Sequence, residues 1–76
     1  MLQCLVLAEK EYRRSNELYP MFHSTHEGYA VIKEEVDELW DYIKESKKTT
    51  PCIMQRAEVI QIMAMCVKFL ESFPER

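Results

Sequence analysis

One glycine and three prolines in 76 residues leave too few turn formers for an all-β chain, whose strands must reverse every eight to twelve residues or so. The three cysteines, Cys4, Cys52 and Cys66, are odd in number, widely spaced and without a Cys-x-x-Cys pair. A disulfide framework or a thiolate zinc site is therefore not expected, and the thiols read as reduced, in a cytoplasmic protein. Basic residues are outnumbered, ten against thirteen acidic, so a nucleic-acid surface is excluded. No apolar run is long enough to cross a membrane: the opening stretch ends at Glu9, Lys10 and Glu11 and has no basic region of a signal peptide before it. A glycine-rich phosphate loop is missing too, as is a serine or cysteine set up as a nucleophile.

What is present is 47% hydrophobic and 30% charged, the make-up of a folded domain. Residues 1–76 make a single domain. A domain of this size buries only roughly 60% of the surface its unfolded chain exposes. Help from a metal or a second copy is expected.

A period of 3.6 residues runs through the whole chain and predicts three helices. The first spans Leu2 to Leu18, with Leu2, Leu5, Val6, Leu7, Ala8 and Tyr12 on its apolar side. Pro20 ends it by disfavouring helical geometry at Tyr19. Ser24 and Glu27, three apart, read as a capping box that opens a second helix running to Glu45. Thr50 as N-cap and Pro51 in the first turn start a third helix, which runs to Ser72 ahead of Pro74. The expected architecture is an all-α, three-helix antiparallel hairpin bundle completed by oligomerisation.

On the second helix, Ile32, Val36, Leu39 and Ile43 form the core stripe. Glu34 points to the solvated side, whereas Glu35 and Glu38 fall at the edge of that stripe, three residues apart on one face. The third helix is apolar around nearly its whole circumference, which implies burial against another subunit. Glu58 lies within it, in the row Glu58, Ile62, Met65, Phe69, with Gln61 one turn along. Buried carboxylates must be paired, protonated or metal-bound. Arg56 and Lys68 reach only the margins of Glu58, so a hard divalent cation with oxygen ligands answers the need. The plain alternative is that runs such as Lys33-Glu34-Glu35 are solvated helix faces.

Glu34-Glu35-Val36-Asp37-Glu38, followed by Glu58-Val59-Ile60-Gln61, resembles the paired motifs of the MazG-like all-α nucleoside triphosphate pyrophosphohydrolases. That family carries Glu-Glu-x-x-Glu on one helix and Glu-x-x-Asp on the next. Ser24 to Val31 and Glu38-Leu39-Trp40 resemble the small bacterial and phage members, and the likeness spans about Tyr19 to Phe73. The resemblance implies Mg2+, with Mn2+ as a substitute, held by Glu35, Glu38 and Glu58. Gln61 stands where the family has Asp, so it would offer a neutral amide oxygen. The implied reaction is hydrolysis of a nucleoside triphosphate to monophosphate and pyrophosphate by a homo-oligomer. Glu34 is then the catalytic carboxylate acting on the attacking water; as a plain residue it is a solvated glutamate. Lys68 is the candidate phosphate contact and Trp40 the candidate base platform; otherwise a lysine snorkels and an aromatic fills a core. His23 and His26 read as loop packing. A non-catalytic oligomerisation or regulatory module on the same fold is the alternative function.

Overall fold

The computed structural model describes residues 2–75; Met1 and Arg76, the two ends of the expected single domain, lie outside the described residues. It is all-helical, with α1 at Leu2–Leu18, α2 at Thr25–Glu45 and α3 at Ile53–Ser72. No helix among the described residues is long and apolar enough to cross a membrane. Helix α3 packs against both α1 and α2, while α1 and α2 make no packing contact with each other. The contacts of α3 run antiparallel to α2 (Gly28 near Phe69, Tyr42 near Gln55) and parallel to α1 (Glu11 with Gln61, Ser15 with Lys68). A cleft therefore stays open between α1 and α2, floored by α3.

The Ser24 hydroxyl caps α2 by accepting from the Glu27 backbone N–H at 3.0 Å. The Glu27 carboxylate accepts the N–H of His23 at 3.1 Å, one residue earlier than a capping box requires. Helix α3 begins two residues later than the Thr50–Pro51 pair predicts. Cys52 holds extended geometry and is the N-cap, its Sγ accepting from Gln55 N–H at 3.5 Å. The Arg56 N–H to Cys52 carbonyl bond, 3.0 Å, closes the first turn. A sulfur is a weak acceptor, so nothing in the sequence marks it as a cap.

The core gathers at one end of the bundle, where Phe22, Ala64 and Met65 are buried, and Tyr12, Ile32, Phe69 and Phe73 pack on them. Gly28 permits this: a Cβ there would sit 2.6 Å from Phe69 Cδ2 and 3.1 Å from Phe22 Cδ2. Ser72 fastens the α1–α2 connection, its hydroxyl accepting from Phe22 N–H at 3.0 Å and donating to the Lys68 carbonyl at 2.7 Å.

The other end is uncovered within one chain. Val36 and Ile43, assigned to the α2 core stripe by periodicity, are 44% and 42% exposed, and only Ile32 and Leu39 of that stripe are half-buried. On α3, Ile53, Met54, Val59 and Leu70 are exposed, so its apolar circumference is not covered by its own neighbours. Nor does α1 dock through its leucines. Leu2, Leu5, Val6 and Leu7 are all exposed, and the helix meets α3 through buried Ala8 and Ser15 with half-buried Glu11 and Tyr12 between them. These positions repeat at three to four residues, and the small side chains at Ala8 and Ser15 let α1 approach closely.

Candidate metal centre and its cleft

Glu35 and Glu38 stand one turn apart on α2, and the antiparallel crossing brings Glu58 of α3 opposite them. Each of the three half-buried side chains offers one carboxylate oxygen, and these oxygens lie within 4.8 Å of one another. Glu58 Oε2 is buried and has no hydrogen-bond partner. None of the three carboxylates is ion-paired among the described residues.

Such crowding shows in the acidities. The Glu35 carboxyl is pushed up to about 7, first by burial, then by the Glu58 carboxylate that can share its proton and by the charges of Glu38, Glu58 and Glu34. Glu38 is raised as well, by burial and then by the charge of Glu58. A divalent cation replaces the missing positive charge with one ion and accepts oxygens from all three groups. The residues present fit magnesium or manganese.

Gln61 lies one turn beyond Glu58, but its side chain is engaged elsewhere: Nε2 donates to Glu11 of α1. Glu11 is in turn held by Arg14, whose Nε lies 3.1 Å from each carboxylate oxygen, and this contact keeps Glu11 below the usual carboxylate range. An amide whose amino end is spent on a carboxylate has its carbonyl end left for other partners. Lys10, Arg14, Glu58 and Gln61 line one recess between α1 and α3.

The cleft between α1 and α2 encloses about 600 Å³. Its wall on α2 carries Glu34 and Glu35, its wall on α1 carries Glu11, Arg14 and Ser15, and its floor is Gln61, Met65 and Lys68 of α3. Glu58, Gln61, Met65 and Lys68 follow at i, i+3, i+7 and i+10, a single stripe of one helix face. Glu34 is exposed on that wall, next to the cluster in sequence but not among the three converging oxygens. Lys68 is 2% exposed and donates to Ser15 Oγ at 2.9 Å. Trp40 is 56% exposed and does not line the cleft. Arg56 lines a separate groove with Leu39 and Ile43.

Glu11, Arg14 and Ser15 are the functional candidates that sequence reasoning missed. The one available signal was the spacing Ala8, Glu11, Ser15, a row of small and polar residues at three and four residues. Compared with known protein families, curated proteins and solved structures, the chain matches none of them.

Proposed function

We propose that this chain hydrolyses a nucleoside triphosphate to the monophosphate and pyrophosphate, with magnesium or manganese held by Glu35, Glu38 and Glu58. The observation that carries this reading is the buried Glu58 oxygen without a partner, inside a trio of carboxylates that no side chain neutralises among the described residues. Bound there, the cation would screen the phosphate charge and stabilise the charge developing on the leaving pyrophosphate. The protein's own groups do the rest. Glu34, exposed on the cleft wall one turn from Glu38, accepts the proton of the attacking water. Gln61, its amino end tied to Glu11, would have its oxygen left to offer the ion as a neutral further ligand. Lys68 meets phosphate from the cleft floor.

The working form in this reading is a homo-oligomer. Val36, Trp40, Ile43 and Ile53 are exposed apolar side chains on the two helices that carry the carboxylates. A second copy covers them, and only such an assembly makes Trp40 a base platform, because in its own chain it stands away from the cleft. The same exposed residues favour the second reading, a helical oligomerisation module with no activity.

A screen of common ribo- and deoxyribonucleotides for pyrophosphate release, with and without magnesium, separates the two. The hydrolase releases pyrophosphate only with the cation, and the cation raises its melting temperature; at about 100 times its dissociation constant the gain is roughly 2.7 kcal/mol. No release from any nucleotide, together with no shift in melting, leaves the module. Sedimentation of a well-folded monomer at micromolar concentration rules out the oligomer in both readings.

A further inference from the structure

We propose that Lys68 and Ser15 form a second, metal-independent subsite in the cleft, which binds a phosphoryl oxyanion at the far end of a polyphosphate chain. Lys68 is 2% exposed and is the one charged residue buried to that degree among the described residues. An ammonium has three donors, and this one gives a single hydrogen bond, to Ser15 Oγ at 2.9 Å. The Phe22 ring lies 5.5 Å from Nζ and covers one side. No carboxylate pairs with it among the described residues.

A buried cation with a hydroxyl and a ring for company is an expensive arrangement for stability alone. Burial pulls its pKa down, against a smaller upward pull from the charge of Glu27 on the same cleft. A methionine there would fill much the same length without the penalty. Lys68 lines the cleft, so an anion entering from outside can answer its unspent donors. Ser15 adds a hydroxyl that can donate to the same anion, whereas Arg14, one residue earlier, is already held by Glu11 on that wall. An ammonium and a hydroxyl side by side, both with hydrogens to give, suit a tetrahedral oxyanion that offers several oxygens.

Position then narrows the ligand. Lys68 follows Glu58 by ten residues on the same stripe, roughly 15 Å along the helix axis. A lone phosphate cannot touch both sites, whereas a polyphosphate chain held at its middle by the carboxylate-bound ion can extend toward Lys68. The terminal phosphates, the half that leaves as pyrophosphate, belong at this subsite. Its role in turnover rests on the hydrolase reading, but its binding of phosphate does not.

Calorimetry with inorganic tripolyphosphate in EDTA therefore tests the subsite alone. The wild type binds, and Lys68→Met weakens binding at least about tenfold, or 1.4 kcal/mol, while Mn2+ binding in a separate titration is unchanged. Ligand-free Lys68→Met melts higher than the wild type, since it loses an unpaired buried charge. Ser15→Ala removes one oxygen only, weakens tripolyphosphate binding by about threefold, and keeps the test decisive should Lys68→Met fail to fold. No binding by the wild type in EDTA overturns the subsite. So does undiminished binding by Lys68→Met or, if that variant does not fold, by Ser15→Ala. Loss of Mn2+ binding in the wild type instead removes the metal centre and leaves the subsite intact.

Discussion

Helix α3 carries two unanswered charges on one stripe. Among the described residues, three carboxylates crowd together at Glu58 without an ion-paired cation, and at Lys68 an ammonium is buried without an ion-paired carboxylate. The simplest way to stabilise both would be to pair them, yet three turns of helix keep them apart. Elsewhere on the surface the chain pairs its charges readily, Lys33 with Asp37 and Lys44 with Asp41, both at 3.0 Å. Those exposed pairs contribute little to stability, because water screens them. Within the cleft Arg14 is given to Glu11, while neither the carboxylate trio nor Lys68 has an ion-pair partner among the described residues. The two poles differ in kind: the Glu58 pole has several ligands for one ion, and the Lys68 pole has one donor group with unused hydrogens.

The substitution that breaks this contrast most sharply is Glu58→Gln. It keeps shape, removes one charge from the crowded pole and supplies an amide hydrogen for its neighbours. Metal affinity and nucleotide hydrolysis should both fall, hydrolysis by at least about a hundredfold, or 2.7 kcal/mol of transition-state stabilisation. In the absence of metal the variant should melt above the wild type, because repulsion with Glu35 and Glu38 is relieved. Parallel melting and Mn2+ titrations read both signs; a variant that loses stability without metal and keeps its hydrolysis would remove the cluster from the active site.

A smaller effect comes from pH. Glu35 titrates near 7 in the folded protein against an ordinary 4.5. Between those values the folded state holds a proton that the unfolded state has lost, so metal-free stability is greatest at the acid end of that window. It declines as pH rises from 4.5 to 7 and changes no further, on this account, above it. With solvent screening the loss amounts to roughly 1–2 kcal/mol, several degrees in a domain of this size. Magnesium should flatten the slope by fixing the ionised form. Melting curves at pH 5 and 7.5 in EDTA, then in millimolar magnesium, measure it. An equal slope in both would mean that the ion does not bind at Glu35.

The sequence made the end of α1 and the start of α2 legible, since Pro20, Ser24 and Glu27 are strong punctuation. It also placed Glu35, Glu38 and Glu58 on faces that meet, because helical period and an antiparallel hairpin are enough to bring them opposite. The part of α1 was hidden for a physical reason. Leu5, Val6 and Leu7 are consecutive and define no face, while the docking surface is made of Ala8 and Ser15, whose merit is small size. With that face unknown, neither Glu11 at Gln61 nor Ser15 at Lys68 could be foreseen. The start of α3 was hidden by a weak sulfur cap.

The subtlest test concerns Gln61, which sits between the two poles and is tied to α1. Gln61→Asp replaces a donor by an acceptor directly against Glu11, so the bond to Glu11 is lost and two carboxylates face each other. Arg14 remains bound to Glu11 and softens the repulsion, which limits the cost without metal to about 1 kcal/mol. At the metal centre the same change works the other way, adding a charged oxygen one turn from Glu58, and magnesium should bind more tightly. Glu11→Gln in the Gln61→Asp background returns a donor to the pair and should recover the lost stability while keeping the gain in affinity. Melting in EDTA and Mn2+ titration on the two single variants and the double variant give the cycle. If Gln61→Asp leaves both quantities unchanged, then Gln61 belongs to neither the α1 contact nor the ion, and the cleft's two poles are independent of the residue between them.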